Sequence, residues 1–268
     1  MKIIKAGYSI IDPDFTEQDC KGRIFRLLER AGRVCYKSEN QITDETAEEF
    51  IRRLIRNHHD AMLEHAKMTV IFTVDRGISH ELVRHRIASF SQESTRYCNY
   101  SKDKFGNEIT VIEPVFFNGI SEDIKSTVRK VMDGDPIGRS EMFENGITRI
   151  IQQYANWYSA CRKAEKNYFR MLGNGATPQE ARDVLPTSLK TDIVMTANFR
   201  EWRHVFLLRA AGITGKPHPQ MTEVMVPLLK ECAEKLPALF DDISVLCKEE
   251  NAYAEQERNG TSDNLAEK

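Results

Sequence analysis

The spacing of apolar and polar positions changes several times along this chain of 268 residues, and each change predicts an element. Residues 2 to 11 alternate as an edge strand does, and residues 21 to 34 have helical spacing. After Thr43 the apolar positions Ala47, Phe50, Ile51, Leu54 and Ile55 return at helical intervals. Thr43 can cap that helix, with Asp44 and Glu45 in the first turn, where the helix dipole favours acids. "NHHDAMLEH" at 57–65 is polar and reads as a turn, whereas "KMTVIFTVD" at 67–75 is rich in strand-forming residues. After Gly77 a short helix, "ISHELV", runs into Arg84, so the basic run that follows starts on a helix end and continues as loop.

Residues 99 to 118 suggest irregular strands around the turn "KFGN", and a long helix is expected over roughly 141 to 171. In "GNGATPQEARDVLP", Thr177 as cap, Pro178 at the first helical position and Glu180 three residues after the cap predict a capping box, with Pro186 ending the helix. "SLKTDIVMTANF" reads as a strand, "REWRHVFLLRAAG" as a helix, and two helices fill 219 to 250. The expected fold is α+β, a helix-rich single domain over 1–250 with a central, mostly antiparallel sheet. Residues 251–268 are polar, a frayed tail.

Composition excludes several classes. With 41% hydrophobic and 29% charged residues the chain is an ordinary globular one, and no apolar run approaches the ~18 residues of a membrane span. A formal net charge of −2 argues against a general nucleic-acid binder, so any anion site must be local. The opening "MKIIKAGYSIIDPDF" turns acidic too soon for a signal peptide, and Cys20, Cys35, Cys98, Cys161, Cys232 and Cys247 form no Cys-x-x-Cys pair. A cytoplasmic protein with reduced thiols is expected, Cys98 being a packing residue by default.

Against that neutral background "RHRIASFSQESTRY" at 84–97 stands out. Arg84, His85, Arg86 and Arg96 surround the hydroxyls of Ser89, Ser91, Ser94 and Thr95, a donor set suited to phosphates and other oxyanions. Taken alone it is a solvated basic turn. "GNGATP" is no dinucleotide fingerprint, because it follows a helix and has Pro178 in place of the third glycine. His58, His59 and Asp60 are metal-ligand types without the spacing of a His-Glu-x-x-His helix; they keep a metal-dependent phosphohydrolase as the rival reading, with a nucleotide or RNA binder third. In "NFREWRHVFLLRAAG", Phe199, Trp202, Val205, Phe206 and Leu208 can pack while Arg200, His204 and Arg209 reach a shared cleft.

Taken together these stretches resemble the flavin-dependent thymidylate synthases, whose signature is Arg-His-Arg, seven residues, then Ser; Arg84, His85, Arg86 and Ser94 match it. The resemblance extends to Arg96-Tyr97, "HHDAMLEH", "EARDVLP", "TANFREWRHVFLLR" and "HPQ", covering most of residues 30 to 235. It implies conversion of dUMP to dTMP, with methylenetetrahydrofolate as carbon donor and FAD, reduced by NADPH, as hydride donor. It implies a homotetramer with active sites at subunit interfaces and small-molecule partners only, without metal, nucleic acid or membrane. It assigns FAD contacts to His59, Ala61, Arg84, His85, Arg86, Gln92, Asn198, Arg200, His204 and His218. It assigns dUMP contacts to Glu81, Leu82, Val83, Arg84, Gln92, Glu93, Ser94, Thr95, Arg96, Arg182 and Arg209, with Arg209 as the catalytic group that activates the uracil. Gln92 stands where the family often has Glu, Glu81 where it often has Gln, and Ala61 where it often has a hydroxyl, and "AAGITGKP" adds length before His218.

Overall fold

A computed structural model describes residues 1–134 and 148–247. The start of the helix expected from 141, the last residues of the 219–250 pair and the 251–268 tail lie outside them. The described chain divides into two compact units. Unit one comprises Met1–Ala6, Thr73–Glu81 and the described part of Gln92–Ile193; unit two comprises Gly7–Phe72, Leu82–Ser91 and residues 194–247.

Six strands are present among the described residues: β1 (Lys2–Ile4), β2 (Gly7–Asp12), β3 (Lys67–Asp75), β4 (Ala88–Gln92), β5 (Thr110–Ile112) and β6 (Lys190–Asn198). The four-stranded antiparallel sheet has the order β2-β3-β6-β4. Its central register is read from two hydroxyl-bearing pairs, Thr69 with Thr196 at 2.9 Å and Thr73 with Asp192 at 2.7 Å. Four residues forward on β3 match four residues back on β6, as antiparallel pairing requires. Both strands alternate, burying Met68, Val70, Phe72 and Val74 on one and Thr191, Ile193, Met195 and Ala197 on the other.

In unit two, α1 (Cys20–Val34) packs on α2 (Thr46–Arg56) through Leu28, Phe50, Ile51 and Leu54. Gly32 permits the approach, since a Cβ there would sit 2.6 Å from the Phe50 ring. The Trp202 indole donates to the Met68 carbonyl at 2.9 Å, and Trp202, Phe206 and Phe240 form a chain of ring contacts. In unit one, β1 pairs in parallel with β5, and the long α5 (Arg149–Gly173) buries Tyr154, Tyr158, Cys161 and Tyr168; α4 (Glu122–Met132) precedes it.

Several boundaries differ from the sequence expectation. The strand over 2–11 breaks into β1 and β2, which enter different sheets; between them Lys5 turns out to the Glu113 carboxylate at 2.7 Å. The helix expected after Thr43 begins at Thr46, because the Thr46 hydroxyl accepts from the Thr43 amide and holds a turn there; Glu48 and Glu49 fill its first turn. "NHHDAMLEH" contains a 3-10 helix, Asp60–His65, and residues 99–118 yield only β5 as strand. The basic run does not continue as loop throughout, since β4 begins at Ala88.

The Thr177/Glu180 capping box forms on α6 (Pro178–Ala181), a helix that yields to a 3-10 turn at Arg182–Val184, before Pro186. The helix expected over 200–212 is α7 (Phe199–Phe206) followed by a π turn, Leu207–Ala211, closed by Gly212 at φ 74°. The remaining helices are α3 (Arg76–Leu82), α8 (Pro219–Lys235) and a helix over 237–247.

Candidate active site

Unit two carries a cleft of about 1100 Å³ that Arg84, His85 and Arg86 enter from one side and Asn198, Arg200, His204 and Arg209 from the other. α3 stops at Leu82, and the His85 amide donates to the Leu82 carbonyl at 3.1 Å, so the three basic residues leave the helix as a turn. The turn alternates: His85 is 4% exposed, while Arg84 and Arg86 face outward.

α7 is aimed by its cap, with Asn198 Oδ1 accepting from the Glu201 amide at 2.8 Å. Its inner face buries Trp202, Val205, Phe206 and the carboxylate of Glu201. The π turn then widens the helix by one residue at Arg209, a distortion often found at functional sites. There Arg209 Nε donates to His85 Nε2 at 3.2 Å, and His85 Nδ1 lies 3.5 Å from Glu201 Oε1. Burial, then the charges of Arg209 and His204, push the His85 pKa down to about 4. The ring is therefore neutral, and the 3.5 Å approach of its Nδ1 to Glu201 Oε1 is no ion pair. Burial raises the Glu201 carboxyl, against the pull of His204 and Arg200.

The cations of this cleft are of two kinds. Arg203 is bound by both Asp242 oxygens, Arg52 by Glu48 and Asp241, and Arg200 by Glu64. Arg84 and Arg86 make no ion pair with a described residue. Two outward arginines beside apolar Ile87, Leu207, Leu208 and Pro237 form a donor set suited to a ligand that is both aromatic and anionic, as FAD is.

His59 and Ala61 line a separate cavity of about 310 Å³ in the same unit, with Arg200 shared between the two. There Tyr36 stacks on the His59 ring at 6.4 Å. His218 caps α8, its Nδ1 accepting from the Gln220 amide at 3.2 Å, and lines neither cavity.

Unit one carries its own cleft, about 640 Å³, containing Gln92, Glu93, Ser94, Thr95 and Arg182. The loop after β4 is tied down on every side. Gln92 Nε2 donates to Ser79 Oγ and Thr191 Oγ1, Glu93 is held by Lys190 and the Tyr100 hydroxyl, and Arg76 reaches the Glu93 carbonyl. Arg96 is exposed, its Nε donating to Gln179 on α6 and its guanidinium 5.5 Å above the Tyr97 ring. Glu81, Leu82 and Val83 end α3 and its following turn; Leu82 is fully buried and can offer only backbone outward.

Residues that sequence reasoning passed over also stand in these clefts. Arg76 and His80 line the cleft of unit one, and their signal was their place on α3 ahead of the basic run. Glu201 backs the cleft of unit two, an acid on the apolar side of an otherwise basic helix. Among the described residues no group of three His, Cys, Asp or Glu side chains is arranged to hold a metal, and no helix is long and apolar enough to cross a membrane. All six cysteines are free.

Comparison with known proteins places the chain in one family. Residues 22–238 match the family model described as thymidylate synthase complementing protein, Thy1. The flavin-dependent thymidylate synthase of Corynebacterium aurimucosum is 34% identical over 223 residues, 82% of this chain and 80% of the relative. That of Corynebacterium efficiens is 31% identical over 222 residues, 82% and 79% of the two chains. In fold the chain is similar to the UMP/dUMP methylase PolB from Streptomyces cacaoi bound with 5-Br dUMP, with a TM-score of 0.65 at 21% identity over 91% of this chain and 97% of that one. By the family match and the shared identity, the chain belongs to the Thy1 family of flavin-dependent thymidylate synthases.

Proposed function

We propose that this protein converts dUMP to dTMP, taking the one-carbon unit from methylenetetrahydrofolate and consuming NADPH. FAD, once reduced, supplies the hydride. The observation that carries the reading is the convergence of Arg84, His85 and Arg86 with Arg209 on its π turn in one cleft. The Arg84 and Arg86 guanidiniums bind the cofactor's phosphates, and the apolar rim excludes water from its ring system. Arg209 binds the uracil and stabilises negative charge developing on the pyrimidine oxygens, the service a fixed cation gives best in a partly buried site.

In the first unit Ser94, Thr95, Arg96 and Arg182 take the nucleotide phosphate, and the polar ties beneath Gln92 and Glu93 keep that loop in shape. His59 and Ala61, in the adjoining cavity that shares Arg200, complete the flavin contacts. As the family resemblance implies, each dUMP is served by Arg96 of one copy and Arg209 of another within a homotetramer. The enzyme works in the cytoplasm, where its free thiols stay reduced.

The test is direct. Purified protein supplemented with FAD should be yellow, and with dUMP, NADPH and methylenetetrahydrofolate it should form dTMP together with tetrahydrofolate. Dihydrofolate as the product, or no dTMP from FAD-loaded protein, refutes the reading.

A further inference from the structure

Glu201 has no packing reason to be an acid. It lies 7% exposed on the same inner face of α7 as Trp202, Val205 and Phe206, where leucine would fill the space without desolvating a charge. Among the described residues its carboxylate has one partner within ion-pair range, the ring of His85 at 3.5 Å. That ring has its other nitrogen 3.2 Å from Arg209 Nε.

Donor chemistry settles the direction of the chain. A guanidinium only donates, so His85 Nε2 must accept; a neutral imidazole that accepts at Nε2 carries its proton on Nδ1, and Nδ1 faces Glu201. The opposite tautomer would set the Nε2 proton against the Arg209 N–H. Other titratable groups near the ring are His204, edge-on at 6.2 Å from α7, and Arg84 and Arg86 on either side in sequence; Arg200 adjoins Glu201 on its own helix.

We propose that Glu201 is a positioning residue, fixing the His85 tautomer so that His85 in turn fixes the guanidinium of Arg209. This deepens the thymidylate synthase reading and rests on it. The device resembles the way an acid orients a metal-bound or catalytic histidine, with an arginine in place of the metal or nucleophile. The π turn carries Arg209, whose Nε there meets the ring.

The test uses the FAD-loaded enzyme labelled with ¹⁵N-histidine, the His85 signals being assigned by their loss in His85→Gln. In the wild type His85 should show a protonated Nδ1 and a bare Nε2 between pH 6 and 8. Glu201→Gln, which keeps an acceptor, should hold that tautomer and at least a third of the turnover. Glu201→Met should give mixed tautomers and a kcat at least tenfold lower, with FAD affinity within threefold. In an Arg209→Lys background, Glu201→Met should cost less than twofold further, because the group it positions is gone.

A wild-type ring protonated on Nε2 overturns the proposal without any variant. So does an unchanged His85 spectrum in Glu201→Met, or in Glu201→Ala should the Met variant not fold, and so does an equal loss in both arginine backgrounds. If the wild type makes no dTMP, the functional reading fails by itself, while the spectrum still decides whether Glu201 orients His85.

Discussion

The clefts of the two units both gather cations, but they hold them by different means. In unit two the arginine that matters is backed by groups taken out of water, His85 at 4% and Glu201 at 7% exposure. In unit one Arg96 is exposed and kept in place by a single amide on α6 and by its own neighbour's ring. A buried relay gives a rigid cation in low dielectric, as charge stabilisation in a transition state demands. A surface loop gives a cation that can meet a phosphate at little desolvation cost, as binding demands. On the proposed function, the buried cleft suits the chemistry and the exposed one the capture of the nucleotide.

The largest effect that can break this division is loss of either arginine. Arg209→Ala and Arg96→Ala should each lower the rate of dTMP formation by about 10²-fold or more. Arg209→Ala should act mainly on kcat, whereas Arg96→Ala should raise the KM for dUMP as well. In the proposed homotetramer each site takes Arg96 from one copy and Arg209 from another, so mixing the two inactive proteins under subunit exchange should restore a fraction of wild-type activity. Exchange confirmed by mass without recovery would mean that one copy supplies both.

The next effect separates the ligands. Arg84→Ala should weaken FAD binding about tenfold, the loss of one charge-assisted contact, and should flatten its salt dependence. Arg182→Ala should leave FAD affinity within twofold and raise the KM for dUMP by about tenfold. Absorbance titration with FAD and initial rates against dUMP check the pair; the same response from both variants would erase the distinction between the clefts.

How much of this was legible beforehand depends on the range of the interactions concerned. β3, the Thr177 capping box and the packing face of α2 could be read because they rest on local periodicity and on caps within three residues. The strand over 2–11 was misread because its split is decided by pairing partners more than fifty residues away, β5 for one half and β3 for the other. The basic motif was visible, since Arg84, His85 and Arg86 are contiguous. Its working parts were not: that His85 is turned inward and neutral follows from burial and from Arg209, 124 residues later. Neither the π turn nor the role of Glu201 leaves a trace in spacing, and an acid among bases on a helix reads equally well as a surface pair.

A smaller effect sharpens the contrast in burial. His85 has a folded pKa near 4 against an ordinary 6.5, so the unfolded chain binds more protons in that window. Its contribution is intact above pH 6.5 and is lost as pH falls towards 4, up to roughly 3 kcal/mol. Glu201 works against it, because its raised carboxyl favours the folded state as pH falls. Urea unfolding of the FAD-loaded protein at pH 7.5, 6 and 5 should show stability falling with acid, and His85→Gln should flatten that slope. An equal slope in the variant would mean that His85 is not the group whose burial resists protonation.

The smallest effect is expected at Cys98, beside the loop that follows β4 in unit one. Thymidylate synthases that use a cysteine need a thiolate to add to the pyrimidine, and a thiol recruited for that has its pKa lowered by neighbouring cations. Here the shift runs the other way: burial pushes the Cys98 thiol up, and Glu93 adds to it, outweighing Lys104 and Lys190. The side chain packs against the cluster of Tyr100, Ile109 and Tyr168 rather than facing a base. On the proposed function, hydride from the reduced flavin takes the role of that thiolate. Cys98→Ser should therefore keep at least half of the wild-type kcat and lose at most about 1 kcal/mol of stability, the difference between a half-buried thiol and a hydroxyl. Turnover measured on variant protein that binds FAD normally and unfolds at the wild-type temperature decides it; a loss beyond tenfold would give unit one a chemical step as well as a binding one.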